Sequence, residues 1–257
     1  MMDRWTLKDK VALVTGGSKG IGKTVVEELL AKGAYVVFVA RGTQNIDEQL
    51  ESCKTKFPNG KVKGIQADIN SKTEVEKVFN FISTEFGRLD ILINNVGTNI
   101  RKPALEYEEA EIQHIFKTNL FSAFHLTNQF YTLLKETKNS SVVFISSVAG
   151  QTHLRTGAVY AMTKAAMEQL TRNLAVEWSK DKIRVNAVAP WYIDTPLAQS
   201  VLKNKTYFDE VVQRTPLGRI GETFEVAGLV TFLCLPTAGF ITGQCIAVDG
   251  GFTIYGF

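Results

Sequence analysis

The sequence predicts a doubly wound α/β domain: a seven-stranded parallel sheet with helices on both faces. Short apolar runs such as "VALVT", "YVVFVA" and "LDILI" recur along the chain. They lack the in–out alternation of a half-buried strand, so they suit strands covered on both faces. Amphipathic stretches of helical length separate them, and that alternation is the pattern of a parallel sheet with crossover helices. No internal repeat, low-complexity segment or linker divides the chain, so residues 1–257 are assigned to one domain.

Each element has its own signal. "VALVTGG" predicts the first strand and "IGKTVVEELLAKG" the first helix, stopped by Gly33 after Lys32. "YVVFVA" is the second strand, and the helical stretch "NIDEQLESCKTKF" runs to a turn at Pro58-Asn59-Gly60. "KVKGIQADI" is the third strand, and a helix from Thr73 to Phe86 is closed by Gly87. "LDILINN" is the fourth, followed by a long helix over Glu108 to Leu134. "SVVFISS" is the fifth, and Tyr160 to Trp178 the next helix. "IRVNAVAP" is the sixth strand, a helix spans Phe224 to Leu235, and "CIAVDGG" is the seventh strand.

Composition removes several classes of function. Forty-five percent hydrophobic residues supply a large core, and 29 Lys and Arg against 26 Asp and Glu leave a net charge of only +3. Nucleic-acid binding, which shows as a clustered basic face, is not expected. Cys53, Cys234 and Cys245 are odd in number and lack C-x-x-C spacing, so neither a disulfide framework nor a zinc site is implied. His114 and His125 have no metal-ligand spacing either. The charged start "MMDRWTLKDK" is unlike a signal peptide, and no apolar run has the length of a membrane span. The expectation is a cytoplasmic protein without membrane contact.

In such a sheet, ligands sit beyond the carboxyl ends of the strands. The richest junction is the first, "TGGSKGIG", Thr15 to Gly22. Its glycines allow close backbone approach, and the following helix offers free N–H groups and a positive dipole end to a pyrophosphate. Gly16, Ser18, Lys19, Gly20, Ile21 and Gly22 are therefore candidate nucleotide contacts. The second strand ends "FVARG", with Arg41 where an acid would bond the free 2′-hydroxyl of NAD. Lys19 and Arg41 together suit a 2′-phosphate, so NADP(H) is the expected cofactor. Asp68 and Ile69 are placed beside the adenine. In "NNVG", Asn95, Val96 and Gly97 are placed near the ribose and nicotinamide.

"SSVAGQTHLRTGAVYAMTK" runs from Ser146 to Lys164 and puts a serine, a tyrosine and a lysine in one stretch. Tyr-x-x-x-Lys alone says little, and a second instance, Tyr131 and Lys135, reads as surface and core. Tyr160 differs because its helix follows a strand that ends in Ser146 and Ser147. Lys164 lies one helical turn on, on the same face. A nearby cation, or the positive ring of an oxidised nicotinamide, favours the phenolate. For carbonyl reduction, Tyr160 donates a proton to the oxygen, Ser147 donates a second hydrogen bond, and Lys164 holds the nicotinamide ribose. Asn119, in "FKTNLF", has an apolar helical neighbourhood and is either functional or merely tolerated there.

These motifs, in this order, resemble the classical short-chain dehydrogenase/reductase family over essentially the full length. The resemblance includes "PWYIDTPL" at 190–197 and is nearest the tropinone-reductase-like branch, through "VAPWYIDTPLA", "CLPTAGFITGQ" and "VDGGF". It implies a Rossmann-type fold and a tetrad of Asn119, Ser147, Tyr160 and Lys164, with Asn119 steadying a proton-relaying water. It also places Pro190, Ile193, Thr195 and Leu197 on the cofactor, Ile193 and Thr195 at the carboxamide. Two departures stand out: Val96 replaces the usual alanine and Trp191 the usual glycine.

The resemblance implies a reversible oxidoreductase acting on a small-molecule ketone, and a homodimer or homotetramer. The apolar excess of "IFKTNLFSAFHLTNQFYTLL" also suggests helix pairing between subunits. Candidate substrate contacts are Arg101, Ser147, His153, Tyr160 and Tyr192. Val96, Gln151, Arg155, Leu197 and a mobile segment at about 190–215 also line the pocket. An Arg101 facing the pocket repels a protonated amine and favours a polar or anionic ketone. The rival readings are a β-ketoacyl-thioester reductase, which needs a basic docking surface, and a non-catalytic NADP(H) sensor, which needs no Tyr160 or Lys164. A lyase or epimerase using bound nicotinamide is a third.

Overall fold

A computed structural model describes residues 4–256. Seven strands form one sheet: β1 (Val11–Thr15), β2 (Tyr35–Ala40), β3 (Val62–Gln66), β4 (Ile91–Asn94), β5 (Ser140–Ile145), β6 (Ile183–Pro190) and β7 (Cys245–Val248). Their order is β3-β2-β1-β4-β5-β6-β7, and every pairing is parallel. The order reverses at β1, which pairs β2 on one side and β4 on the other. Loops leaving β1 and β4 therefore diverge to opposite faces and open a crevice at the strand ends.

The central strands are buried on both faces because their side chains point alternately into two cores, whereas the edge strands β3 and β7 are only partly covered. Val14, Phe38, Ile93 and Val188 join one cluster, where α1 (Gly20–Ala31) and α10 (Thr223–Cys234) contribute Val25, Leu29, Val230 and Leu233. Leu13, Val37, Leu92, Phe144 and Val185 join the other. There α3 (Lys72–Phe86) and α7 (Ala158–Glu177) supply Ile82, Met167 and Leu174. Each fully buried aliphatic side chain contributes roughly 1.5–3 kcal/mol. On β2's side, α2 (Thr43–Lys56) adds Ile46 and Cys53 to the first cluster.

Two regions show more structure than the simple reading anticipates. The helix expected over 108–134 is not continuous: α4 (Glu109–Phe116) passes into a π turn at Lys117–Phe121, then α5 (Ser122–Gln129) and α6 (Tyr131–Glu136). Asn119 finds its buried partners Thr98 and Thr163 where the backbone loosens, and a simple apolar-period reading misses that. The segment expected to be mobile, about 190–215, folds as two short helices, α8 (Pro196–Leu202) and α9 (Lys205–Gln213). Thr195 caps α8 by accepting from Ala198 N at 3.2 Å, and Asn204 caps α9 by accepting from Tyr207 N at 3.1 Å. Ala198, Leu202 and Val211 form a small core of their own with Trp191, Tyr192 and Tyr207. This pair of helices lies over the strand ends as a folded flap.

Candidate active site

The glycine loop is shaped by contacts no side chain could share. Gly16 sits at φ 66°, and a Cβ on it would come 2.9 Å from Asn95 Nδ2. A Cβ on Gly22 would lie 2.3 Å from the Gly16 carbonyl oxygen, so the first turn of α1 is pressed against the loop. Asn95 donates from Nδ2 to the carbonyls of Thr15 (2.9 Å) and Gly16 (3.2 Å), tying the end of β4 to the end of β1. Its amide is thus committed to holding the loop. Lys19, the residue before α1, and Arg41, just past β2, are exposed. Neither makes an ion pair among the described residues.

Across the crevice, β5, the π turn and α7 bring the expected tetrad together. Tyr160 and Ser147 line the same stretch of the crevice, where the Ser147 hydroxyl favours the phenolate, and Ser147 Oγ reaches the Pro190 carbonyl at 3.5 Å. Lys164 Nζ donates to the Ile145 carbonyl at 2.6 Å and lies 5.5 Å from the Tyr160 ring centroid. Asn119 is wholly buried at the π turn: Oδ1 accepts from Thr98 N (2.8 Å), and Nδ2 donates to Thr98 O (2.9 Å) and Thr163 Oγ1 (3.2 Å). It pins the loop after β4 to α7. A Cβ on Gly97 would sit 3.6 Å from Lys164 Nζ and 3.7 Å from Asn119 Oδ1, so Gly97 lies between the two.

Burial dominates the electrostatics here. It pushes the Tyr160 phenol above its usual range, against lowering by the Ser147 hydrogen bond and the Arg101 charge. It pulls Lys164 down to about 8, with the Glu168 carboxylate opposing. Burial thus outweighs the lowering influence of Ser147 and of the Arg101 charge on the phenol, and Lys164 Nζ stands 5.5 Å from the same ring.

One cavity of about 860 Å³ joins both sides. Its wall includes Gly16, Ser18, Lys19, Gly20, Ile21, Arg41, Asp68, Ile69, Asn95, Val96 and Gly97. Ser147, Tyr160, Lys164, Pro190, Ile193, Thr195 and Leu197 complete the expected set, with Arg101, His153, Arg155 and Tyr192 at the far end. Gly22 and Asn119 stand behind the wall as supports, and Gln151 is turned away, its Nε2 3.1 Å from Cys245 Sγ. Asp68 accepts from Asn70 N at 2.9 Å, a local turn that fixes its carboxylate. Trp191 stacks on Phe252 with ring centroids 3.7 Å apart and donates from Nε1 to Thr215 Oγ1 at 3.0 Å. The bulky substitute for glycine thereby clamps the flap's root to the C-terminal segment.

Several site residues escaped the sequence reading. Glu168 is 5% exposed and accepts from Ser146 Oγ at 2.9 Å, close behind Lys164. Its place was readable: Tyr160, Lys164 and Glu168 recur every four residues on one helix face. Tyr207 and Glu210 of α9 fall in the segment expected to line the pocket, but their individual partners emerge only with the folding of the flap. There Tyr207 Oη meets Tyr192 Oη at 2.7 Å, and Arg155 pairs with Glu210 at 2.5 Å. Among the described residues no group of His, Cys, Asp and Glu is arranged to hold a metal ion, and no helix is long and apolar enough to cross a membrane.

Known proteins give the same constellation a lineage. A family model described as enoyl-(acyl carrier protein) reductase matches residues 16–253. A tropinone reductase homolog of Arabidopsis thaliana is 52% identical over 256 residues, covering 99% of this chain and 96% of that protein. A solved 7α-hydroxysteroid dehydrogenase, complexed with NADH and 7-oxo glycochenodeoxycholic acid, superposes with a TM-score of 0.91 at 29% identity, covering 98% of each chain. A Beutenbergia cavernae structure described as an NAD(P)-dependent gluconate 5-dehydrogenase, with bound NADP, superposes with a TM-score of 0.90 at 28% identity, covering 98% of this chain and all of that one. With the glycine loop, the parallel sheet and the buried Ser147–Tyr160–Lys164 group, these matches settle the ancestry: the chain is an oxidoreductase of the short-chain dehydrogenase/reductase family, acting on CH–OH or carbonyl groups, on its tropinone-reductase-like branch.

Proposed function

We propose that the protein reduces a small-molecule ketone to an alcohol with NADPH. The observation that carries this reading is that Tyr160, Ser147 and Lys164 line the same cavity as the glycine loop. The residues present suit the cofactor: the Gly16–Gly22 approach leaves room for backbone alone beside a pyrophosphate, and Lys19 and Arg41 are cations without a counter-ion on the cavity wall. When bound, NADPH supplies the hydride that reaches the carbonyl carbon. Asp68 and Ile69 border the adenine end, Val96 and Gly97 the middle, and Pro190, Ile193, Thr195 and Leu197 the nicotinamide end. The NADP-bound neighbour is consistent with this choice, while the NADH-bound neighbour shows the same fold taking the other cofactor.

Tyr160 donates its proton to the carbonyl oxygen as charge develops there, and Ser147 donates a second hydrogen bond to that oxygen. Lys164 replenishes the proton path and holds the ribose. Asn119 spends its side chain on Thr98 and Thr163, and so holds the loop after β4 against α7. Folded α8 and α9 close over the substrate and exclude water. Phe121 and Phe124 expose apolar surface beside the π turn, which supports pairing of subunits as a homodimer or homotetramer. The three unpaired cysteines suit the reducing cytoplasm.

Purified protein mixed with NADPH or NADH and a panel of cyclic, bicyclic, aliphatic and β-ketoacyl ketones tests the reading. Turnover with NADPH that Tyr160→Phe abolishes is the expected result. Lys19→Ala with Arg41→Ala should weaken NADPH binding but spare NADH. Equal binding of the two cofactors by the unaltered protein overturns the NADPH assignment, and no turnover with either overturns the reductase.

A further inference from the structure

We propose that the substrate is an oxo acid, a ketone carrying a carboxylate, and that Arg101 receives the carboxylate while Tyr160 addresses the carbonyl. This rests on the reductase reading for the chemistry but on separate observations for the charge. Arg101 and Lys102 are neighbours on the loop after β4, yet they face different partners. Lys102 Nζ is held by both oxygens of Glu111 on α4, at 2.7 and 2.9 Å. Arg101 lines the cavity together with Tyr160 and Tyr192, and its charge favours the ionised form of both phenols.

The carboxylates of the cavity are accounted for. Asp68 stands at the adenine end in its own turn, and Glu210 is taken by Arg155, whose guanidinium also lies over the Tyr207 ring at 5.6 Å. Arg101 makes no ion pair among the described residues. The flap therefore closes over a partly buried cation whose counter-ion the protein does not provide. An unpaired charge under a closing lid is costly, and a carboxylate on the substrate removes that cost while adding charge-assisted hydrogen bonds. A protonated amino ketone meets repulsion at the same spot. Trp191 and Tyr192 form an aromatic wall beside Arg101, which suits a cyclic or aromatic body between the two functional groups.

Matched substrates decide the matter. Cyclohexanone, aryl ketone and bicyclic ketone frameworks are each prepared as the carboxylate, its methyl ester and a tertiary amine. 4-Oxocyclohexanecarboxylate with its ester is the first pair. kcat/KM with NADPH is measured alongside calorimetric affinity for the NADP⁺-loaded protein, a dead-end combination that reports binding without turnover. In the best framework the acid should exceed its ester roughly 10- to 100-fold, the range for hydrogen bonds to a charged group. Arg101→Gln should collapse that ratio toward one, Arg101→Lys should restore part of it, and Arg101→Glu should transfer the preference to the amine. Equal handling of acid and ester in every framework, or an acid preference that survives Arg101→Gln, overturns the proposal. Failure of the reductase reading looks different: the acid binds in an Arg101-dependent way, but no ketone is turned over.

Discussion

Two tyrosine–lysine pairs with identical spacing sit in this protein, and their ends differ. Lys164 Nζ lies 5.5 Å from the Tyr160 ring, and Lys135 Nζ lies 5.8 Å from the Tyr131 ring. Helix geometry makes the pairs nearly superimposable. Around Tyr131, however, Asp181 accepts from the phenol at 2.6 Å and pairs with Lys135 at 3.0 Å, raising both pKa values. Lys135 is half exposed, so this pair is a strut on the surface. Around Tyr160 the lysine is buried and pulled down to about 8, while burial raises the phenol and no carboxylate acts on it among the causes that shift it. Spacing places the two side chains; the surrounding charges and burial decide whether they titrate or merely hold.

The comparison breaks first at Tyr160→Phe. Loss of the proton donor should lower turnover by roughly 10²- to 10⁴-fold, the usual worth of general acid–base catalysis, with NADPH binding retained. Equal activity of the variant would place Tyr160 with Tyr131 as a strut.

Next in size is a linkage effect at Lys164. Its folded pKa of about 8 lies below the unfolded value, so between these the unfolded chain binds more protons and stability rises with pH. Between pH 8 and 9.5 the unaltered protein should gain up to about 2 kcal/mol relative to Lys164→Met. Denaturant midpoints at the two pH values check this, and a parallel rise in both proteins contradicts it.

Glu168→Gln removes the carboxylate that supports the Lys164 ammonium, so the lysine's pKa should fall further. Turnover near pH 8 should drop severalfold and recover near pH 6.5, a shift in the pH profile that a packing defect does not produce.

Smallest is Tyr131→Phe. It should leave kcat/KM unchanged and cost less than about 1 kcal/mol of stability, because the strut is largely solvent-screened. A thermal melt run beside an activity assay reads both.

The sheet was legible because parallel strands buried on both faces leave unbroken apolar runs, and all seven strands fall where those runs do. Ends were less so: β3 stops at Gln66 although the apolar run suggested Ile69, since Ala67 and Asp68 already turn toward the cavity. The tetrad and glycine loop were legible through motif order, and the expected cofactor set lines one cavity apart from Gly22. What stayed hidden depends on long-range folding. Glu210 meets Arg155 across 55 residues, and Tyr207 meets Tyr192 across 15, both only once α9 lies over the strand ends. Burial, which raises the pKa of the Tyr160 phenol, cannot be read from spacing.

The π turn at Lys117–Phe121 also sets a bookmark in the chain's length. Thr118, Ser122, Leu126, Phe130 and Leu134 are buried at four-residue intervals. A regular helix turns about 100° per residue, so each such step drifts by about 40° and the row would wind away from the sheet. The widened turn takes up part of that drift, acting as a phase corrector between the half that supports the chemistry and the half that packs the core. Deleting one residue there would leave every downstream side chain chemically intact yet rotated out of its socket, and Asn119 would lose Thr98 and Thr163 together. Along this stretch of the lineage, substitutions are therefore far more tolerable than changes in length.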